Sequence, residues 1–174
     1  MKLLIKIFFT FLIILNISQN VLADSPYFVD FKYILNESNA GKEAQNFLKN
    51  KLEKGIKSLQ SKEKAIQEEE KKIIQQKKVI SADDYKKKLI DLRSKVSSLQ
   101  KERNSLLENV SKQRSFARNE LLKNLNPLIK DYMKEKKIRM VIDKKSLLLA
   151  DENLDITKEI MARLNKKLKS IKLK

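Results

Sequence analysis

Few side chains in this sequence could carry out chemistry, and carboxylates are the main candidates. The chain contains no His and no Cys, although His titrates closest to neutral pH and Cys is the readiest nucleophile. Two adjacent carboxylate pairs remain, Asp83 with Asp84 and Asp151 with Glu152. Each pair adjoins a predicted turn, where Asp commonly caps the backbone. We therefore expect no catalytic residue and no enzyme activity.

The same composition argues against a metal or a cofactor. Zinc sites are built mainly from His and Cys, which are absent. The two glycines, Gly41 and Gly55, are too far apart to form a phosphate-binding loop. We expect neither a metal site nor a nucleotide site.

The first 23 residues have the pattern of a secretory signal peptide. Two lysines precede an apolar run from Ile7 to Ile17, and Val21 and Ala23 occupy the small positions before a cleavage point. The alternative is an uncleaved anchor, but the run is short for about 30 Å of hydrocarbon. The pattern predicts export with cleavage after Ala23.

The remaining residues, 24–174, are enough for one domain. Because the exported chain has no Cys, no disulfide can stabilise it. Aromatic residues make up 6% and charged residues 35% of the chain. This composition favours oligomerisation as a source of stability.

Periodicity divides the exported chain into a small body and a long arm. Residues 24–38 and 138–174 form the predicted body, and residues 39–137 form the arm. Apolar alternation within 25–36 predicts a short strand. A hairpin is predicted from the apolar runs at 140–142 and 147–149. Asp155 is predicted to cap a final helix that carries Ile156, Ile160, Leu164 and Leu168.

The arm contains apolar residues that recur every seven positions, as in a coiled-coil seam. Ser81 and Asp84 have capping-box spacing, which predicts a reversal of the chain near 81–84. Folding there places Ile73 opposite Leu92. The predicted seam consists of Leu52, Leu59, Ile66, Ile73 and Ile80 before the reversal and Tyr85, Leu92, Leu99 and Leu106 after it.

The layer beside this seam is polar or small in several places. The same register pairs Glu69 with Val96, and Gly55 with Val110. We therefore predict a flexible antiparallel arm of about 60 Å, which Pro127 kinks or interrupts where it meets the body. The predicted fold class is mainly α with a small β component, in which a long antiparallel helical-hairpin arm extends from a small strand-containing body.

The arm is strongly basic. Residues 49–137 contain 25 Lys or Arg and 13 Asp or Glu. Such a field attracts anionic partners, while export argues against nucleic acid as the partner. Acidic unfolded polypeptides and anionic lipid remain open, as does a structural coiled coil that adapts to a defined partner. The basic clusters nearest the predicted reversal are Lys71, Lys72, Lys77, Lys78, Lys86, Lys87 and Lys88.

Several segments in this order resemble the Skp/OmpH family of periplasmic chaperones. A strand-like segment, 27–34, follows the signal peptide, and Ile138-Arg139-Met140-Val141-Ile142-Asp143 follows a basic hairpin. The most specific segment is Asp155-Ile156-Thr157-Lys158-Glu159-Ile160 with Ala162-Arg163-Leu164-Asn165 after it.

This resemblance implies a homotrimer in the periplasm that holds unfolded outer-membrane proteins without ATP between three arms. Acidic clients would contact the basic clusters of the arm, and the sequence leaves open whether lipopolysaccharide or anionic lipid is contacted as well. Apolar residues of the small body should lie between subunits, because they would otherwise face water. These residues are Tyr27, Val29, Phe31, Val141 and Leu148.

Overall fold

The computed structural model describes residues 25–174. The predicted signal peptide and its cleavage after Ala23 therefore lie outside the described residues. The elements in chain order are β1 (Tyr27–Val29), α1 (Phe31–Glu37), α2 (Asn39–Gln76), α3 (Ala82–Lys136), β2 (Val141–Asp143) and α4 (Thr157–Lys167). The predicted fold class, a long helical hairpin on a small strand-containing body, is confirmed.

The short strand predicted within residues 25–36 is present, but it covers only Tyr27–Val29, and a helix takes up the rest of the segment. β1 ends at Val29, and α1 begins at Phe31. Asp30 causes the change, because its side chain accepts a hydrogen bond from the backbone N–H of Tyr33 at 2.7 Å and so caps the helix. Ile34 on α1 is then fully buried in the core.

α2 and α3 form the antiparallel arm. α2 has 38 residues, which corresponds to about 57 Å at about 1.5 Å per residue. The chain reverses between Lys77 and Ser81, slightly before the predicted position. The Ser81 hydroxyl accepts a hydrogen bond from the Asp84 backbone N–H at 3.1 Å, as the capping spacing predicted.

Pro127 does not interrupt the helix of the arm. The expectation that the chain is interrupted at this residue is therefore wrong. α3 continues through Pro127 to Lys136. Leu125 before the proline and Ile129 after it are both buried in the same core. Packing on both sides of Pro127 stabilises the helix, although the proline cannot donate a backbone hydrogen bond.

The predicted hairpin of the body is also wrong. β2 pairs with β1 in parallel, with Tyr27 beside Val141 and Val29 beside Asp143. A short 3-10 turn follows β2, and residues 147–149 form no strand. The partner of β2 comes from the start of the chain, which local sequence patterns cannot reveal because the two strands are far apart in sequence.

The core lies where the base of the arm meets α1 and α4. α4 contributes Ile160 and Leu164, which are fully buried. Asp155 accepts a hydrogen bond from the Thr157 backbone N–H at 2.9 Å, at the start of α4. The backbone N–H of Asn39 donates to the Asn165 side chain at 2.9 Å and so joins α2 to α4. The body thus fixes the position from which the arm extends.

Candidate functional site

Polar contacts across the arm agree with the register predicted from the apolar rows. Lys62 forms an ion pair with Glu102 at 2.5 Å, and Lys95 forms one with Glu69 at 2.6 Å. These pairs lie within one residue of the register expected from the apolar rows. They bridge the two helices where the second layer is polar, but such exposed pairs contribute little to stability.

The nine apolar residues of the predicted seam differ in how deeply they are buried. Among the nine seam residues, Leu59, Ile73 and Leu92 are buried. The other six are half-buried, namely Leu52, Ile66, Ile80, Tyr85, Leu99 and Leu106. The arm therefore has a thin apolar interior along its length and leaves part of each apolar side chain in contact with solvent.

The predicted lysines surround the tip of the arm. Six of them are exposed, and the exception is Lys88, which is half-buried and donates a hydrogen bond to Gln76 Oε1 at 2.6 Å. The Lys77 ammonium lies 5.9 Å from the centre of the Tyr85 ring. That these lysines contact a client stays a prediction. The exposed lysines are Lys71, Lys72, Lys77, Lys78, Lys86 and Lys87.

Exposed apolar side chains lie among these lysines, and the sequence analysis did not identify them. Val79 at the turn is 79% exposed, and Ile74 and Ile90 are also exposed. The sequence does indicate their exposure, because these three residues fall outside the seven-residue rows of the seam and the seam therefore cannot cover them. The tip therefore combines positive charge with apolar surface.

The five residues predicted for the trimer interface occupy different environments. Val29 is fully buried within one chain, and Tyr27, Phe31 and Val141 are half-buried against the core. By contrast, Leu148 is 96% exposed and its neighbour Leu149 is 91% exposed. Of the predicted set, Leu148 has the most surface left for a second chain, and Leu149 should be added to it.

Asp155 holds the segment after β2 against the body. Its partial burial acts to raise its pKa, but hydrogen bonds from Thr157 and Lys144 outweigh this effect and hold the pKa below its usual value. The Thr157 hydroxyl accepts a hydrogen bond from the Asp30 backbone N–H at 2.9 Å. Asp155 and Thr157 therefore connect α4 to the start of the chain, and a carboxylate in these contacts has a structural role.

Arg163 makes a second connection inside the body. It donates two hydrogen bonds to the Glu135 carboxylate, at 2.8 and 2.5 Å. Its guanidinium lies 4.8 Å from the centre of the Tyr132 ring, an arrangement that favours the cation. The hydrogen bond from Arg163 lowers the pKa of Glu135. This contact joins α4 to the end of α3.

Residues 25–174 contain no group of three His, Cys, Asp or Glu side chains that could hold a metal ion. No helix within the same residues is long and apolar enough to cross a membrane. The surfaces that remain as candidates are the arm and the exposed leucines of the body.

A family model supports the resemblance that the sequence suggested. The model described as "Outer membrane protein (OmpH-like)" matches residues 27–164, from the start of β1 into α4. The chain belongs to the OmpH-like family. No curated protein sequence is significantly similar to this OmpH-like chain.

A solved structure shares the fold of this OmpH-like protein. It comes from Caulobacter crescentus CB15, was determined at 2.83 Å resolution and is assigned there as an OmpH-like outer membrane chaperone. The two structures superpose with a TM-score of 0.78 at 21% sequence identity. The match covers 85% of this chain and 89% of the other. At this identity the likeness concerns the fold, so a hairpin arm on a small body is common to both.

Proposed function

We propose that this OmpH-like protein is an ATP-independent periplasmic holdase. It binds unfolded outer-membrane proteins and prevents their aggregation while they cross to the outer membrane. Membership of the OmpH-like family supports this role, as does the assignment of the Caulobacter crescentus protein as an outer membrane chaperone.

The observation that carries the proposal is the mixed surface of the arm. Exposed apolar side chains occur along its whole length, from Phe47 and Phe116 near the body to Ile74 and Ile90 near the tip. They lie singly among basic residues on a hairpin whose interior is thin. Scattered weak sites suit a flexible chain of variable sequence, because no single contact has to match a defined partner.

We propose further that three copies assemble through the body. The sheet formed within residues 25–174 of one chain has two strands, which is too few for an independently stable sheet. Leu148 and Leu149 are almost fully exposed beside it. Burial of such side chains against another copy would stabilise the assembly by about 1.5 to 3 kcal/mol for each leucine. Three arms would then surround one client.

Aggregation of an unfolded β-barrel protein tests the proposed function. The denatured client is diluted from urea with and without the exported form of this chain, and light scattering is followed over time in the absence of ATP. Suppression that increases with chaperone concentration is the expected result. A structural adaptor would leave the scattering unchanged, since it has no affinity for denatured polypeptides.

Binding to an anionic lipid surface is a second candidate function, and the arm tip favours it. Val79, Ile74 and Ile90 are exposed among lysines, a combination that binds anionic head groups and inserts apolar side chains at the interface. Co-sedimentation with vesicles that contain anionic lipid, in the absence of any client, distinguishes it. Lipid binding without suppression of aggregation would favour this second function over the holdase.

A further inference from the structure

A groove lies at the base of the arm, far along α2 and α3 from the basic tip. It has a volume of about 620 Å³ and is lined by the end of α1, the first turns of α2 and the facing part of α3. Its volume is within the range of about 300 to 1,000 Å³ that is usual for ligand sites. None of the predicted client-binding lysines lines it.

The floor of the groove is apolar, and its rim is basic. Leu48 and Leu121 are buried in the floor, and Leu52 is half-buried there. Arg114 and Arg118 are exposed on the rim, one helical turn apart on α3. Among the described residues that line the groove there is no Asp or Glu. The arrangement is complementary to a ligand that carries negative charge next to apolar groups.

Amide side chains on the same rim indicate what kind of ligand this is. Gln45 Nε2 donates a hydrogen bond to Asn36 Oδ1 at 2.9 Å, and Asn46 is exposed beside them. Each amide offers both donors and an acceptor. A peptide backbone has both kinds of group at each residue along its length, whereas a lipid has them only in its head group and none along its acyl chain. The rim therefore fits a peptide better than a lipid.

We infer that this groove binds a short polypeptide segment in which acidic and apolar residues adjoin. The inference rests on the proposed function and deepens it, because it gives the unfolded client a second contact apart from the tip. Lysines at the tip attract an acidic client from a distance. Arg114 and Arg118 then pair with its carboxylates while its apolar side chains cover the floor of the groove.

Equilibrium binding of a synthetic peptide tests the inference. The probe is a short fluorescent peptide of alternating Leu and Glu, compared with versions that carry Lys for Glu or Ser for Leu. Loss of two rim charges in Arg114→Gln with Arg118→Gln should weaken binding of the Leu-Glu peptide about 3- to 10-fold at 0.1 M salt. The matched control is Arg93→Gln with Arg139→Gln, which removes the same charge from exposed positions outside the groove. Affinity of the control should stay close to that of the wild type.

A single label locates the bound peptide. The chain has no Cys, so Asn46→Cys provides one attachment point for an environment-sensitive dye on the rim, and Gln67→Cys provides one at an exposed position of α2 nearer the tip. Addition of the Leu-Glu peptide should shift the emission of the dye at residue 46 and leave the dye at residue 67 unchanged. Equal shifts at both positions would overturn the inference, because the peptide would then bind along the whole arm.

The remaining outcomes separate the groove from the proposed function. If the rim variant binds the peptide as tightly as the control variant does, and the wild type suppresses aggregation, the inferred peptide site is refuted and the proposed holdase function is retained. If the rim variant binds the peptide more weakly but the wild type does not suppress aggregation, the proposed holdase function is refuted and the inferred peptide site is retained. A response of the dye at residue 46 to anionic vesicles alone would assign the groove to lipid. If light scattering shows that the rim variant has a different mass from the wild type, the groove would be assigned to contacts between copies of this chain. Either result overturns the inference.

Discussion

Gly55 on α2 packs directly beneath Leu106 on α3. A Cβ atom at residue 55 would lie 2.4 Å from the Leu106 Cδ2 atom, closer than van der Waals contact allows. The sequence register had placed Val110 opposite Gly55. Leu106, which lies one helical turn from Val110 on α3, covers Gly55, so the small residue makes room for a leucine of the seam.

This contact predicts that the effect of Gly55→Ala depends on Leu106. Ala is favoured over Gly inside a helix by about 0.5 to 1 kcal/mol. In a Leu106→Ala background, Gly55→Ala should raise the free energy of unfolding by about that amount. In the wild-type background the gain should be lost, since Leu106 must move. Urea unfolding followed by circular dichroism, at one fixed protein concentration, measures both effects. Equal effects in the two backgrounds would show that the residues are not coupled.

The capture of clients should depend on charge at the tip. Screening shortens the electrostatic range from about 10 Å at 0.1 M salt to about 3 Å at 1 M. Stopped-flow association with an unfolded acidic β-barrel protein should therefore slow steeply as salt increases, whereas dissociation should change less. Substitution of the tip lysines by Gln should imitate high salt and leave folding largely intact. The substituted residues are Lys77, Lys78, Lys86, Lys87 and Lys88.

A control variant separates position from net charge. It removes the same number of positive charges at exposed lysines away from the tip, namely Lys54, Lys57, Lys64, Lys101 and Lys130. The control should slow association less than the tip variant does. If association is insensitive to salt and to both sets of substitutions, apolar surface captures the client and the lysines only keep the arm solvated.

Assembly should depend on the exposed leucines of the body. Leu148→Ser together with Leu149→Ser should convert a trimer into monomers at micromolar concentration, because it removes apolar surface available to a second copy. The fold within one chain should persist, since both side chains are almost fully exposed there. Multi-angle light scattering gives the mass. Leu107→Ser, at an exposed position on the arm, is the control and should retain the mass of the wild type. A double variant with an unchanged mass would place the interface elsewhere.

The body should lose stability in acid through Asp155. Its pKa in the folded state is lowered, so the ionised form stabilises the fold at a pH above about 3.9, the usual value for Asp. This contribution decreases as the pH falls through the folded-state pKa. Asp155→Asn should lower the unfolding midpoint at pH 7 and flatten its decrease between pH 5 and pH 3. Thermal unfolding at several pH values measures this, with Asp151→Asn at an exposed position as the control. The same pH dependence in both variants would contradict the assigned role of Asp155.

The sequence predicted the arm well because its signals are local and repeated. Seven-residue spacing from Leu52 to Ile80 and from Tyr85 to Leu106 defines two helical faces, and the Ser81 cap marks the start of the second helix. Since a hairpin pairs neighbouring segments, the position of the reversal alone sets the register. Lys62 with Glu102 and Lys95 with Glu69 lie within one residue of that register.

Predictions for the body were poorer because its contacts join distant parts of the chain. Apolar alternation at Phe31 resembled a strand, but the Asp30 cap and the burial of Ile34 against the core favour a helix. The leucines at 147–149 resembled a strand as well, yet β2 pairs with β1, which lies more than a hundred residues earlier. No local pattern contains that partner.

The sequence by itself determined the helical arm, its charge and the family, since periodicity, composition and short motifs are properties of the chain alone. Only the tertiary structure decided which apolar side chains stay exposed and which residues meet in the groove. Exposure depends on what each neighbouring element covers. Val79 and the rim arginines Arg114 and Arg118 acquire their surroundings only when α1, α2 and α3 pack together, and Leu148 stays exposed because no described element of the body covers it.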